Sequence, residues 1–106
     1  MTDESPTRLF SDADRDTLDE ALDTWGQRTQ EDHAIEELGE LLTAIMQYRR
    51  RRVDMPEVRD EIADALIVVN QLALIYGVDE TEERIEEKLQ RLRERLADAD
   101  TNGGNQ

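Results

Sequence analysis

The sequence predicts an all-α fold, a four-helix bundle built from a single domain. Apolar residues recur at helical spacing in four segments, and each segment is bounded by residues typical of helix starts or ends. No segment has the strict alternation of a half-buried strand. The 106 residues suffice for one small domain. Because a domain of this size has a thin core, association with a second copy is expected.

The two ends of the chain are predicted to lie outside the folded domain. Residues 1–10 are mostly polar and are expected to form a flexible arm. Residues 98–106 contain Gly103-Gly104 and almost no apolar side chain, so a disordered tail is expected there. The helical domain is therefore assigned to residues 11–97.

The first two helices are predicted from their start signals and apolar stripes. Ser11 followed by Asp14 resembles a capping box, and Gly26 interrupts the pattern that follows. The second helix is expected from about Gln30 to about Arg51. The stripes expected in the core are Leu18, Leu22 and Trp25 in the first helix, and Ile35, Leu38, Leu42, Ile45, Met46 and Arg49 in the second.

The last two helices are predicted in the same way. Asp54 and Glu57 have the spacing of an N-cap and its third helical residue. Gly77 is expected to end the third helix, and Asp79 to open the fourth. Their stripes are Val58, Ile62, Ala65, Val69, Leu72 and Tyr76 in the third helix, and Ile85, Leu89, Leu92 and Leu96 in the fourth. The short connections favour an antiparallel arrangement.

The charge of the chain limits its partners. Its net charge of -14 repels nucleic acid and anionic membranes. Twelve of the 13 bases are arginine, and this composition indicates a surface adapted to high intracellular salt, with an ordinary acidic protein as the alternative. There is no cysteine, no apolar run of about 20 residues and no secretion leader, so a cytoplasmic protein is expected.

Two acidic clusters carry the functional prediction. They are Glu36-Glu37-x-x-Glu40 and, after a spacer of 20 residues, Glu61-x-x-Asp64. Residues three or four apart share a helix face, so five carboxylates converge if the two helices pack together. Two carboxylates ~4 Å apart repel by about 4 kcal/mol at an effective dielectric of 20. A converged cluster therefore needs bound cations or raised carboxyl pKa values, and hard divalent ions bind such oxygen-rich sites.

Chance is the alternative explanation for each cluster taken alone. Acids are so frequent here that the segment 82–87 has the same spacing, and we interpret that segment as a solvated helix face. The pair of clusters is stronger because each lies beside an apolar stripe on helices that are expected to be neighbours.

The clusters and their surroundings resemble the MazG-like all-α nucleoside triphosphate pyrophosphohydrolases. The similarity rests on Trp25-Gly26 with Gln30, on residues 35–41 and 61–66, and on Lys88-Leu89-x-x-Leu92. It covers about residues 18–96. The resemblance implies hydrolysis of a ribo- or deoxynucleoside triphosphate to the monophosphate and pyrophosphate, which would serve nucleotide-pool cleaning. It implies Mg²⁺ as cofactor, with Mn²⁺ as the alternative, and we expect a homodimer or homotetramer.

The resemblance also implies roles for the acids. The implied metal ligands are Glu37, Glu40, Glu61 and Asp64. Glu36 is the candidate for orienting or deprotonating the attacking water, or for binding an additional metal. His33 lies one helical turn before Glu37, and we interpret it as a surface residue or as a neighbour of a metal ligand, not as a ligand itself.

Four more residues are candidates for substrate binding: Trp25, Gln30, Gln71 and Lys88. Gln71 stands seven residues after the last acid, where family members often carry an amide, although a polar residue near the bundle end is an equal alternative. Trp25 and Gln30 would contact the base, but Trp25 also fits the core. Lys88 would neutralise phosphate or pair with acids on its own helix. The basic run 49–52 is favoured by the helix dipole. A grip on the triphosphate is the alternative, although the run lies about three turns beyond Glu40.

Two rival functions remain open at this point. A phosphoribosyl-ATP pyrophosphohydrolase would share the chemistry and belongs to a related helical group. A non-catalytic helical interaction module would carry the same acids only as a salt-tolerant surface. Magnesium-dependent stabilisation separates the second rival from either enzyme.

Overall fold

The computed structural model describes residues 10–103 and contains four α-helices and no strand in that range. The all-α, four-helix prediction is confirmed. The helices are α1 (Asp12–Trp25), α2 (Gln27–Arg49), α3 (Met55–Tyr76) and α4 (Val78–Gly103). The predicted flexible arm lies, except for residue 10, outside the described residues. No single described helix is long and apolar enough to cross a membrane, and only the sharply bent pair α3 and α4 meets that test, on length and composition alone.

The predicted start signals are present at two helices. The backbone N–H of Asp14 donates to Ser11 Oγ (3.1 Å), and the Ser11 N–H donates to Asp14 Oδ2 (3.0 Å). This reciprocal pair is the predicted capping box of α1. At α3, the N–H of Asp54 donates to Glu57 Oε1 (3.1 Å). Local sequence therefore fixes where these helices begin.

Gly77 turns the chain between α3 and α4. Its φ of 122° is a conformation that side-chain-bearing residues rarely adopt, and a Cβ there would lie 2.5 Å from Glu80 Oε1. The axes of α3 and α4 differ by 116°. Glycine at this position therefore decides the direction in which α4 leaves the domain.

The centre of the molecule is a hairpin of α2 and α3, which pack along each other. The helices run antiparallel, because the Tyr76 hydroxyl at the end of α3 donates to Glu31 near the start of α2. α1 packs against both helices of the hairpin, whereas α4 packs against α3 only. An ion pair of 3.5 Å between Arg15 and Glu82 joins α1 to the first turns of α4. The expected bundle is thus open on the side of α4.

Small and polar side chains form the interface inside the hairpin. The buried residues of α2 and α3 are Gln30, Ala34, Ala44, Ala65, Val68 and Gln71. Alanines allow the two helix axes to approach closely, and the large aliphatic residues are left on one outer side. We call that surface the apolar side of the hairpin; it consists of Ile35, Leu38, Leu42, Ile45 and Met46 of α2 with Ile62, Val69 and Tyr76 of α3.

The stripes predicted for the core are only partly buried within a single chain. Ala65 is buried, and Val58, Leu72 and Ile85 are half-buried, but most of the other stripe residues are exposed. Ile35 is 71% exposed and Leu42 65% exposed, because the line of alanines, not the aliphatic stripe, faces the neighbouring helix. Trp25, also expected in the core, is 62% exposed at the end of α1. Leu18 is the one buried side chain of that stripe, and Leu22 is half-buried.

α4 differs from its prediction at the C-terminal end. The helix continues to Gly103, so residues 98–103 are helical where a disordered tail was expected. No proline interrupts this stretch, and the Thr101 hydroxyl donates to the Ala97 carbonyl one turn earlier (3.0 Å). From Glu86 to Thr101 every residue of α4 is exposed, including Leu89, Leu92 and Leu96. α4 therefore projects from the domain with an uncovered apolar stripe.

Candidate metal centre

The two acidic clusters meet on the side of the hairpin opposite the apolar side. One carboxylate oxygen from each of Glu37, Glu61 and Asp64 can be chosen so that all three lie within 4.8 Å of one another. Glu37 comes from α2 and the other two come from α3, so hairpin packing creates the group. Sharing of a single ion by three carboxylates is compatible with that spacing.

Two oxygens of this cluster are buried without a hydrogen-bond partner among the described residues. They are Glu37 Oε1 and Glu61 Oε1, and the Glu37 side chain as a whole is only 12% exposed. A buried carboxylate oxygen without a partner loses its hydration and gains nothing in return. An ion bound between the two helices would supply the missing interaction.

The electrostatics of the cluster point the same way. Burial raises the pKa of Glu37 above its ordinary value, and the nearby charges of Glu40 and Asp64 raise that pKa further. Burial likewise raises the pKa of Glu61, with Glu40 and Asp64 adding to the effect. The metal-free cluster is therefore an unfavourable arrangement of like charges.

His33 also lies beside this region, exposed on the surface, and it was left out of the predicted site residues. Its Nδ1 atom lies 3.8 Å from Glu36 Oε1 and 3.8 Å from Glu37 Oε2. These three side chains form a second group with ligand atoms close enough to hold an ion. The spacing of three and four residues between His33 and the two acids was visible in the sequence, and it is the signal that could have placed His33 here.

An open groove of ≈ 500 Å³ runs along this side of the hairpin, and we call it the acidic groove. Glu36 and Glu40 line it from α2, and Glu61 lines it from α3. The Glu36 side chain is 68% exposed. The remaining lining residues are Gly39, Thr43, Ala44, Gln47, Val53 and Glu57. Glu36 and Glu40 therefore have access to solvent and to any molecule in the groove.

The predicted substrate-binding residues fall into two groups. Gln30 and Gln71 are each only 5% exposed, on the inner faces of α2 and α3. In an antiparallel hairpin that brings Glu37 beside Asp64, these two amides stand at the same level, about two turns from the acids. Trp25 and Lys88 are exposed on α1 and α4 and do not line the acidic groove.

In comparisons with known proteins, no family model matches this chain, and no curated protein and no solved structure matches it. The function is therefore inferred from the residues of the chain and from their geometry.

Proposed function

We propose that this protein is a magnesium-dependent nucleoside triphosphate pyrophosphohydrolase of the MazG-like type. The observation that carries the proposal is the convergence of Glu37, Glu61 and Asp64 from two helices, with two buried oxygens lacking partners. On a solvated acidic surface, neighbouring carboxylate oxygens would stay hydrated, because burying them without a partner costs free energy. The resemblance of the two acidic motifs to that family supplies the reaction.

The residues fit a divalent cation that prefers oxygen ligands. Glu37, Glu61 and Asp64 would hold it, and Glu40 would complete the set from the groove wall. When bound, Mg²⁺ supplies neutralisation of the phosphate charges and a lowered pKa for water; Mn²⁺ would serve in its place.

Glu36 is the proposed general base. It lines the groove beside Glu40 and keeps most of its side chain in solvent. The carboxylate of Glu36 would accept a proton from a water whose oxygen attacks the α-phosphorus. The bond from the α-phosphorus to the bridging oxygen of the β-phosphate breaks, and pyrophosphate leaves with that oxygen. The products are a nucleoside monophosphate and pyrophosphate.

We further propose that the protein works as a homodimer or homotetramer. The apolar side of the hairpin and the stripe of α4 leave large aliphatic side chains in water, whereas Leu18 and Val68 are the only buried apolar residues larger than alanine among the described residues. So thin a core is marginal by itself. A second copy of the chain carries the matching apolar surfaces and would cover them.

The decisive experiment is hydrolysis of a substrate panel. Purified protein is incubated at high salt with Mg²⁺ and each ribo- and deoxynucleoside triphosphate, with phosphoribosyl-ATP as a further arm, and the products are separated. Release of pyrophosphate with the matching monophosphate supports the proposal. Cleavage of phosphoribosyl-ATP alone would favour the related histidine-pathway chemistry.

A magnesium titration separates both enzymes from a non-catalytic acidic module. We expect Mg²⁺ to raise Tm, because the ion binds the folded cluster and not the unfolded chain. Absence of hydrolysis together with absence of stabilisation by Mg²⁺ would leave the interaction module as the better interpretation.

A further inference from the structure

The loop between α2 and α3 carries the largest concentration of positive charge in an otherwise acidic chain. Arg49, Arg50, Arg51 and Arg52 follow one another in a protein of net charge -14. All four are exposed, and within residues 10–103 none of their side chains forms an ion pair or a hydrogen bond. We call residues 49–52 the arginine loop.

The helix dipole accounts for only part of this run. Arg49 is the last residue of α2 and the only base in its last turn. The other three arginines follow within one turn of that end, where the dipole favours each charge by about 0.3–1 kcal/mol. Neighbouring guanidinium groups also repel one another, so the stability of α2 does not by itself account for four arginines in succession.

The arginine loop stands at one end of the acidic groove. The N–H of Arg52 donates to the Gln47 carbonyl (2.9 Å), and Val53 follows directly in the chain. Gln47 and Val53 both line the acidic groove, whereas none of the four arginines does. Arg52 therefore adjoins the groove beside two of its wall residues. Arg51 lines an adjoining cavity of ≈ 460 Å³ that shares Val53 as a wall.

The backbone of the loop singles out Arg51. Its φ of 59° makes it the only non-glycine residue with positive φ in the described chain. This left-handed conformation costs a residue with a Cβ about 1–2 kcal/mol, and glycine or asparagine adopts it far more readily. A left-handed residue at this place is a usual helix end: the Arg51 N–H donates to the Tyr48 carbonyl (2.8 Å) and the Arg52 N–H to the Gln47 carbonyl (2.9 Å), as in a Schellman motif. The backbone conformation therefore follows from the way α2 ends, and it leaves the Arg51 guanidinium exposed.

We propose that the arginine loop binds the outer phosphates of an oligophosphate whose inner phosphates lie at the acidic cluster. This inference rests on the proposed function. It adds that the protein recognises its substrate by the length of the phosphate chain. Guanidinium groups bind phosphate through paired hydrogen bonds. Along α2 the groove extends about 10 Å from Glu40 to Gln47, so cations would stand at both of its ends.

Phosphate-chain length would then decide specificity. A triphosphate reaches from the acidic cluster toward the arginine loop, whereas a monophosphate occupies only one end of the groove. Without the arginines, the carboxylates of the groove would repel the outer phosphates.

Calorimetric binding of inorganic tripolyphosphate in the presence of Mg²⁺, at one fixed ionic strength, tests the proposal directly. The variant is the double substitution Arg51→Gly with Arg52→Ala, and the control is Arg95→Ala on the projecting part of α4, where a free exposed arginine is lost. We expect the double variant to bind about tenfold or more weakly and the control to stay within about twofold of wild type. Arg52→Lys should give an intermediate affinity, because charge is kept and paired hydrogen bonding is lost.

Arg51→Gly alone keeps the test independent of folding. Glycine suits a φ of 59° better than arginine does, so Tm should stay the same or rise while tripolyphosphate affinity falls. Equal affinity in wild type and the double variant would overturn the proposal. A changed oligomeric mass with unchanged affinity would also overturn it, and would assign the loop to contact between copies.

The two proposals fail separately. If the wild type releases pyrophosphate from nucleoside triphosphates, the double variant should raise KM for the triphosphate with little change in kcat. If the wild type hydrolyses no nucleotide, the proposed function is lost, yet arginine-dependent binding of tripolyphosphate would still establish the oligophosphate site. If the double variant hydrolyses nucleoside triphosphates with the KM of wild type, the arginine loop proposal fails while the proposed function stands.

Discussion

The acidic groove and the apolar side are built from the same two helices, but they lack different kinds of interaction. On one side, Glu37 and Glu61 bury carboxylate oxygens that have no partner. On the other side, Ile35 and Leu42 expose most of their aliphatic surface to water. The first arrangement is missing positive charge, and the second is missing apolar contact. An isolated chain is therefore incomplete on both sides. A cation would complete the acidic side, and a second copy of the chain would complete the apolar side.

The largest effect is expected on the acidic side. Asp64→Asn or Glu40→Gln should lower magnesium-dependent turnover by about 100-fold or more, because each removes a charge that the proposed site uses to hold the ion. Helical content, measured by circular dichroism, should stay that of wild type. Glu83→Gln, an exposed acid in the segment 82–87, serves as the control and should keep its activity. Full turnover in both Asp64→Asn and Glu40→Gln would refute the assignment of the site.

The apolar side can be broken with a single charge. Leu42→Glu should dissociate the oligomer, because burial of a leucine contributes ~1.5–3 kcal/mol and a symmetric interface loses that contribution twice. The dissociation constant should rise by about 100-fold or more, as measured by light scattering across a concentration series. Thr17→Glu adds the same charge to exposed α1 and should leave the mass unchanged. A monomeric wild type at high concentration would contradict the proposed assembly.

A smaller effect separates charge from shape in the metal cluster. Glu61→Gln keeps the size of the side chain and removes its charge, so the metal-free variant should melt a few degrees above the metal-free wild type. The same variant should lose most of the stabilisation that Mg²⁺ gives to wild type. Thermal melting with EDTA and with excess Mg²⁺ measures both. If the variant is less stable than wild type in EDTA, the Glu61 carboxylate has a stabilising partner in the folded, metal-free protein, and the prediction is wrong.

The smallest effect is a pH dependence confined to the metal-free protein. The pKa values of Glu37 and Glu61 in the folded state lie above their ordinary values. The stabilisation from their protonation is therefore complete below the ordinary carboxyl pKa and is lost as pH rises through the raised pKa. The Tm difference between wild type and the double variant Glu37→Gln with Glu61→Gln should widen from about pH 5 to about pH 8, in favour of the variant. Excess Mg²⁺ should abolish this trend in wild type.

The helices themselves were predictable because their signals are local. Ser11 with Asp14, Asp54 with Glu57, and Gly77 each act within four residues of the boundary that they set. The end of α4 was missed because polar composition at residues 98–103 indicated disorder, whereas nothing before Gly103 breaks the helix. His33 was left out of the predicted site because a single histidine indicates a metal site only through the carboxylates that lie beside it.

By itself the sequence determined four helices, their boundaries to within a few residues except at the end of α4, and two acidic clusters at helical spacing. Only the tertiary structure decided that Ala34 and Ala44 lie buried on α2 while Ile35 and Leu42 face water. An apolar stripe in the sequence predicts that a helix face is buried, but it does not identify the surface that buries it. A neighbouring helix of the same chain and a second copy of the chain can both cover such a face. The carboxylates, in contrast, meet at a fixed register across the hairpin, and that register depends on long-range packing that no short motif encodes.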